Sequence, residues 1–423
     1  METLRFLLVT TFYPPYHLGG DATHVQYLAR ALVKRGHEVH VEFSPAAFRL
    51  KTKRKPAPSN RSPDESIHLH PIRSRYGRLQ PLSAFLTGQS KGVNRSHEKL
   101  VAQTKPDVVH LHNISLLGLG VLPKKPGRKT LYTAHDYWVR CPRSDLFKFG
   151  RYPCESPTCF RCGLATGRPP QLWRVGRGWK GMRGIDCAIA PSRFMKSAVE
   201  RLFRCPVVHL PNFAPDHNPV GTSQTPGDYY LYAGTLEPHR GIVELAAAAN
   251  GNASRLPLVI AGRGSLEGPL RKLENSDRTN VHLTGWLEAS KLEPLYRKAK
   301  AFIMPSLSYD NAPLAAIEAL SWGAPLLVSH RGGLLELIYD GQTGRSFEPE
   351  PMDILRTVER FEAEGLHFKL RQAARKAYES HHHPDSYMTR YVSLVKGLDS
   401  IESAGGKPGS PSVPLGPDGD RSS

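Results

Sequence analysis

Short apolar runs alternate with amphipathic segments along this chain, and the alternation occurs in two successive sets. The first set of predicted strands covers residues 4–9, 37–43, 108–112, 130–134, 188–190 and 207–210. The second set covers residues 229–234, 258–262, 281–283, 301–304 and 326–328. A helix is expected from about Ala22, with Val25, Leu28 and Leu32 on one face and Gly36 at its end. Short apolar strands separated by helical segments predict α/β domains with parallel, doubly wound sheets.

The chain of 423 residues suits two domains rather than one core. We predict a first Rossmann-like domain over 1–214, a linker over 215–227 and a second Rossmann-like domain over 228–383. A helix over 384–402 is expected to cross back to the first domain, and the Gly-, Pro- and Ser-rich residues 403–423 are expected to be a disordered tail. Ligands of such folds bind where the carboxyl ends of the strands face a crevice.

Residues 306–320 carry the strongest candidate chemistry. A predicted buried strand leads into a helix with Pro313 near its first turn, and helix N-termini favour anions. Asp310 precedes this helix and Glu318 lies about two turns along it. A carboxylate beside a phosphate site can accept hydrogen bonds from both hydroxyls of a ribose. The alternative is a helix-capping aspartate followed by a solvated glutamate.

Three further segments follow predicted strands. Gly19 and Gly20 permit close backbone approach to a ligand or simply form a turn. His135 ends a first-domain strand, where it is either structural or directed at the crevice, and Asp136 is expected to orient its loop. Arg240 follows the first strand of the second domain and is either a phosphate ligand or a basic surface residue.

The order and spacing of these elements resemble the retaining nucleotide-sugar glycosyltransferases of the large family-four type, which have the GT-B fold. The resemblance covers the chain from about residue 4 to 391. The spacing Asp310-x7-Glu318 is similar to the family's E-x7-E signature, with Asp in place of the usual first Glu. The resemblance implies that Asp310 lies near the donor sugar and that Glu318 holds the nucleotide ribose. Within the same element it implies donor contacts from Asn311, Ala312 and Leu314.

The same resemblance implies a role for each of the other segments. Gly19 and Gly20 would lie at the donor phosphates and acceptor side, and His135, in a T-x-H-D element, would contact the donor sugar. The family usually places Arg and Lys on the diphosphate where this chain has Thr235 and Arg240. Arg263 lies in a Gly-x-Gly loop near the nucleotide. Residues 331–336 resemble the family's G-G-x-x-E segment.

The implied activity is retaining transfer of a hexose from a nucleotide-diphosphate sugar to a glycan or lipid-linked acceptor, as in polysaccharide biosynthesis. Cations and a helix N-terminus can stabilise the departing diphosphate, so no catalytic metal or cofactor is expected. Two alternatives remain. One is a GT-B enzyme of another kind, such as an epimerase, and the other is a basic, zinc-containing protein that binds nucleic acid.

Cys141, Cys154, Cys159 and Cys162 form a C-x12-C-x4-C-x2-C set. Four thiols within 22 residues, ending in C-x2-C, are typical of a tetrahedral metal site. A structural zinc ion is one interpretation, an iron–sulfur cluster or redox pair a second, and the absence of any function a third.

A net charge of +19 favours anionic partners: phosphorylated substrates, an anionic membrane surface or nucleic acid. Residues 168–183 place Trp173 and Trp179 among Arg and Lys, which suits either a membrane interface or a helix with its Trp side chains packed inward. No apolar stretch approaches the roughly 20 residues of a membrane span. With no leader expected before the first strand, we predict a cytoplasmic protein, peripheral on the inner face of the membrane, with no nucleic acid partner.

Overall fold

Two parallel sheets dominate the computed structural model, which describes residues 3–52, 56, 66–123, 127–174, 181–216, 227–250, 256–276 and 280–403. The first sheet comprises β1 (Arg5–Val9), β2 (Glu38–Phe43), β3 (Ile67–Pro71), β4 (Val108–Leu111), β5 (Lys129–Thr133), β8 (Cys187–Ala190) and β9 (Val207–His209). Its strand order is β3-β2-β1-β4-β5-β8-β9, and every pairing is parallel.

The second sheet comprises β10 (Tyr230–Thr235), β11 (Leu258–Arg263), β12 (Val281–Gly285), β13 (Phe302–Met304), β14 (Leu326–Ser329) and β15 (Gly344–Phe347). Its order is β12-β11-β10-β13-β14-β15, again entirely parallel. In each sheet the order reverses beside the first strand, which creates a crevice at the strand carboxyl ends. The predicted α/β class with two Rossmann-like, doubly wound domains is confirmed.

Thirteen α-helices lie in the described part of the chain. They are α1 (Gly19–Val33), α2 (Pro45–Lys51), α3 (Leu79–Thr87), α4 (Lys91–Thr104), α5 (Cys159–Ala165), α6 (Arg193–Val199), α7 (Ile242–Ala249), α8 (Glu267–Glu274), α9 (Ala289–Lys298), α10 (Leu314–Ser321), α11 (Pro351–Ala363), α12 (His367–His381) and α13 (Pro384–Ser403). No helix within the described ranges is long and apolar enough to cross a membrane.

The first predicted helix begins earlier than expected, at Gly19 rather than about Ala22. Gly19 has φ +83°, which a glycine adopts without strain, so the chain enters the helix through the two glycines themselves. Asp21 then lies in the first turn, where its Oδ1 accepts a 2.9 Å hydrogen bond from the Ala22 amide. Both glycines therefore belong to the helix N-terminus instead of a preceding loop.

Helix α13 returns to the first domain, as predicted. The side chains of Tyr387, Met388, Tyr391, Leu394, Val395 and Leu398 are buried in one cluster with β1, β2 and α1. Inside that cluster the hydroxyl of Tyr391 lies 2.9 Å from Nδ1 of His110 on β4. The last helix thus completes a core whose other members come from the beginning of the chain.

The segment between β5 and β8 carries the four-cysteine set. It contains a small antiparallel hairpin of β6 (Phe147–Lys148) and β7 (Tyr152–Pro153), followed by α5. Most of the predicted linker lies outside the described residues, which omit 217–226, and the predicted tail lies outside them from residue 404 onward.

Candidate active site

Helices α1 and α10 meet across the crevice at their N-termini. A Cβ atom at Gly20 would lie 3.9 Å from Leu314 Cδ1, so the Gly19–Gly20 turn faces the first residue of α10. Helix α10 begins directly after Pro313, which lies in the cap position with extended geometry. Two helix N-termini, each with unpaired amides and a positive dipole end, therefore face the same part of the crevice.

Arg240 and Asp310, both predicted site residues, form an ion pair at this point. Nη1 of Arg240 donates to Oδ1 of Asp310, and the Ser306 hydroxyl donates to Oδ2. The charge of Asp310 raises the pKa of Arg240, so the guanidinium keeps its proton. Its Nε is buried and has no hydrogen-bond partner in the described structure. The side chain as a whole is 30% exposed, so the guanidinium presents positive charge to the crevice.

The segments that follow β10 and β13 approach each other very closely beside this pair. Gly241 has φ +69°, and a Cβ there would lie 1.8 Å from the carbonyl oxygen of Pro305. Two residues earlier, the carbonyl of His239 accepts hydrogen bonds from the amides of Leu307 (3.0 Å) and Ser308 (3.2 Å). The segment after β10 is thus fixed against the segment after β13, which explains why residues 70 positions apart form an ion pair.

Glu318 lies one turn into α10 and bridges the two domains. Its Oε1 accepts a 2.7 Å hydrogen bond from Tyr27 of α1, and its Oε2 accepts one of 3.3 Å from Tyr296 of α9. Burial raises the pKa of Glu318, and the two phenol donors oppose that shift. The carboxylate is therefore held by protein hydroxyl groups, which are the kind of donor that a sugar also offers.

His135 and Asn311 come together at the junction between the domains. Nδ2 of Asn311 donates to the carbonyls of Ala134 (3.0 Å) and His135 (3.3 Å), while its Oδ1 accepts from Ser192 at 2.7 Å. Next to it, the carbonyl of Ala312 accepts a 2.9 Å hydrogen bond from Asn212. The residues between Asp310 and α10 therefore join the domains through backbone and amide contacts.

The imidazole of His135, which is partly exposed, belongs to a cluster of four histidines with the buried His24, His110 and His112. Its Nε2 lies 2.9 Å from Nδ1 of His112, and its ring centroid lies 4.9 Å from that of His24. Burial lowers the pKa of His135 well below its usual value, and neighbouring histidines lower it further. His135 is consequently neutral near pH 7 and can exchange hydrogen bonds without adding charge.

Asp136 orients the next turn. Its Oδ1 accepts a 2.8 Å hydrogen bond from the Trp138 amide. Burial raises the pKa of Asp136 to about 7, an effect that this hydrogen bond opposes. A carboxyl group that changes its protonation near neutral pH therefore lies directly after His135.

Thr235 and Arg263 are register partners at the ends of β10 and β11. The Arg263 guanidinium lies 5.4 Å from the centroid of the Trp286 ring, so it stacks on an aromatic face. The carbonyl of Thr235 accepts a 2.8 Å hydrogen bond from Tyr232. The structure places both residues at the crevice edge of the second sheet.

Glu336, in the G-G-x-x-E segment, caps a first-domain helix. Its two carboxylate oxygens accept hydrogen bonds from the amides of Arg193 (2.7 Å) and Phe194 (2.8 Å) at the start of α6. A carboxylate at this end complements the helix dipole. This contact is a further polar connection between the domains.

Several site residues carry no sequence signal. Tyr27 and Tyr296 hold Glu318, and Ser306 holds Asp310, but single Tyr and Ser residues in helices or loops form no pattern. His24 and His112 fall at buried positions of a helix and a strand end, where an apolar residue is the usual occupant. The only sequence signal for these two residues is the unusual number of histidines near the ends of the predicted strands.

The cysteines and the basic aromatic segment do not contribute side chains to this constellation. All four predicted ligands line one pocket, and no cysteine of the chain forms a disulfide. Trp173 is partly buried and donates from Nε1 to the carbonyl of Phe85 at 3.0 Å, which favours inward packing for this residue. Trp179 lies outside the described residues.

Comparison with known proteins places these features in a family. Residues 215–380 match the family described as Glycosyl transferases group 1, and residues 18–216 match Glycosyltransferase Family 4. Glycogen synthase of Mycobacterium tuberculosis is 26% identical over 378 residues, covering 82% of this chain and 83% of that protein.

Solved structures share the fold at low identity. Sucrose-phosphate synthase from Thermosynechococcus elongatus superposes with a TM-score of 0.68 at 16% identity, covering 94% of this chain and all of that one. HepE from Anabaena, in complex with UDP and glucose, gives a TM-score of 0.62 at 13% identity over 95% of this chain and 100% of that chain. The two family matches meet within the predicted linker and together span residues 18–380. The chain therefore belongs to the group 1 glycosyltransferases and has the GT-B fold.

Proposed function

We propose that this glycosyltransferase moves a hexose from a nucleotide-diphosphate sugar to a glycan or lipid-linked acceptor with retention of anomeric configuration. The observation that carries the proposal is the Arg240–Asp310 pair at the N-terminus of α10, facing Gly20 of α1. The partly exposed guanidinium of Arg240 and the two helix N-termini supply positive potential for a diphosphate. Glu318 would keep its contact with Tyr27 and exchange the longer one with Tyr296 for the ribose hydroxyls.

In the proposed reaction the bond between the anomeric carbon and the β-phosphate oxygen breaks while the acceptor oxygen attacks from the same face. The acceptor proton passes to the departing phosphate, so no protein base is required. Asp310 already accepts hydrogen bonds from Arg240 and Ser306, which favours charge stabilisation over nucleophilic attack on the sugar. Neutral His135 would contact the sugar. The phosphate charge is met by Arg240 and the helix dipoles, so the transfer itself would proceed without a divalent metal.

Donor binding tests the nucleotide site directly. Thermal unfolding would be measured with UDP, GDP, ADP and TDP sugars without added divalent metal, for the native chain, Glu318→Ala and the exposed control Glu359→Ala. A ligand at 100 times its Kd adds about 2.7 kcal/mol to the unfolding free energy. One nucleotide series should raise the melting temperature of the native chain and the control, but not that of Glu318→Ala. Equal shifts in all three proteins would remove Glu318 from the donor site.

The identified donor then tests the chemistry. NMR of the product formed on a glycan acceptor should show the anomeric configuration of the donor, and the inverted anomer would refute retention. A donor converted without any acceptor would instead indicate an epimerase. For an acceptor on a membrane lipid, the net charge of +19 predicts flotation with anionic vesicles and none with neutral ones.

A further inference from the structure

The four cysteines between β5 and β8 converge on one pocket. Cys141 and Cys162 are buried, Cys154 is partly buried and Cys159 is exposed at the start of α5. The pocket is lined by Cys141, Pro142, Arg143, Phe147, Lys148, Cys154, Thr158, Cys159 and Cys162. The hairpin β6–β7 and the turn into α5 thus fold 22 residues back on themselves and bring all four thiols to the same space.

A backbone amide is directed at one of the buried sulfurs. The Phe149 amide donates a 3.1 Å hydrogen bond to Cys162 Sγ. A thiol that merely fills space does not need such a donor, whereas an N–H group beside a thiolate stabilises its charge and fixes its position. The hydrogen bond at Cys162 therefore suits a thiolate ligand in this pocket.

Cations surround the same pocket. Arg143 and Lys148 line it, and Arg168 is tied to the Arg143 carbonyl by a 2.9 Å hydrogen bond from Nη1. Four thiolates around one divalent cation carry a net charge of −2, which these side chains can balance.

The backbone of the hairpin is strained. Ser144, Leu146 and Phe149 have φ values of +69°, +48° and +55°, and they are three of the four non-glycine residues with positive φ in the described ranges. Each such residue costs about 1–3 kcal/mol and persists only where its surroundings enforce it. Leu146 and Phe147 are buried, and a cross-link at the neighbouring cysteines would add a second restraint on this geometry.

We propose that Cys141, Cys154, Cys159 and Cys162 together bind one structural zinc ion. A set of four sulfur ligands selects zinc or an iron–sulfur cluster. Among the described residues no three His, Cys, Asp or Glu side chains are already arranged to hold a metal. Binding therefore requires the other three thiols to turn towards Cys162, whose sulfur the Phe149 amide already holds, about χ1, the single side-chain torsion of cysteine, within the pocket that they share. The proposal does not depend on the proposed sugar transfer.

The location gives the zinc a role in shaping the crevice. The ring of Phe147, on β6, lies 6.3 Å from that of His239, directly before Arg240. Fixing the hairpin through its cysteines would hold Phe147 against the second domain beside the Arg240–Asp310 pair. If the site is the donor site proposed above, the zinc-bound hairpin forms one of its walls.

Metal analysis of the full chain, purified without chelators from zinc-supplemented cells, tests the proposal independently of activity. About one zinc per chain is expected in the native protein and in the control Cys205→Ser, whose cysteine lies outside the set. Cys159→Ser and Cys162→Ser should each lose most of it. Cys159 is exposed, so that variant is expected to fold and decides the test if Cys162→Ser does not.

Two further measurements make the result decisive. A strong chelator should lower the melting temperature of the native chain by several degrees and leave that of Cys159→Ser unchanged. Chelator-treated protein given Co²⁺ should develop the intense visible absorption of tetrahedral cobalt thiolates. Absence of both zinc and cobalt uptake in folded protein would overturn the proposal. Iron with acid-labile sulfide, or a disulfide within the set, would overturn the assignment to zinc.

Discussion

The hydroxyl of Tyr27 donates a 2.7 Å hydrogen bond to Oε1 of Glu318 and thereby ties helix α1 of the first domain to helix α10 of the second. The acceptor, Glu318, is the proposed ribose ligand. The contact therefore connects the relative position of the domains to the proposed donor site.

Tyr27→Phe removes this donor while keeping the ring. A hydrogen bond to a charged group contributes about 1.5–3 kcal/mol, less where the groups are partly exposed, so we expect a melting temperature a few degrees lower. Because Glu318 loses its orientation, donor Kd should also rise by about 3- to 10-fold, or about 0.7–1.4 kcal/mol. Calorimetric titration with the donor measures the second effect. Tyr76→Phe, at an exposed position, is the control, and equal donor affinity in both variants would contradict the expectation.

Arg240→Lys keeps the charge but not the forked guanidinium. Lysine cannot bond Asp310 and a diphosphate oxygen at the same time with fixed geometry. We expect kcat to fall by at least about 10-fold, corresponding to about 1.4 kcal/mol of transition-state stabilisation. The exposed substitution Arg356→Lys should leave kcat unchanged. Full activity in Arg240→Lys would show that a point charge suffices at this position.

Asp136→Asn tests the carboxyl group whose pKa burial raises to about 7. The folded protein binds this proton more tightly than the unfolded chain, so the contribution of Asp136 to stability is present below pH 3.8 and is lost as pH rises through 7. The variant should be more stable than the native protein above pH 7, and the difference should vanish towards pH 4. Urea unfolding across this range measures it, with Glu359→Gln as the control. A difference that does not depend on pH would contradict the assignment.

His24→Phe tests the buried histidine cluster. Both ring nitrogens of His24 are buried without a partner in the described structure, and burial lowers its pKa to about 3. The imidazole must stay neutral in the fold, so its contribution to stability is lost as pH falls from 6.5 towards 3. Phenylalanine fits the aromatic surroundings of Phe213 and Tyr387 and removes the titration. We expect the variant to stay folded to a lower pH than the native protein does, as followed by circular dichroism. Acid unfolding of both proteins at the same pH would argue against a role for His24.

The two sheets were predictable from sequence because parallel strands buried on both faces are continuous apolar runs. Edge strand β3, with His68 and His70 between apolar residues, lacks that run and was missed. The D-x7-E spacing located Asp310 and Glu318, because a strand followed by a helix fixes their position along the chain. It could not find Tyr27, Tyr296 or Ser306, whose contacts arise from the packing of separate elements.

The position of helix α13 at the end of the chain has a consequence for folding during synthesis. The buried side chains of Tyr387, Tyr391 and Leu398 cover apolar residues of β1 and β2, which emerge more than 300 residues earlier. Until α13 is synthesised, that face of the first sheet is exposed to water or to other apolar surfaces. The first domain is thus expected to need a chaperone or a slow waiting phase during translation, and nascent chains arrested before residue 384 should aggregate where full-length chains do not.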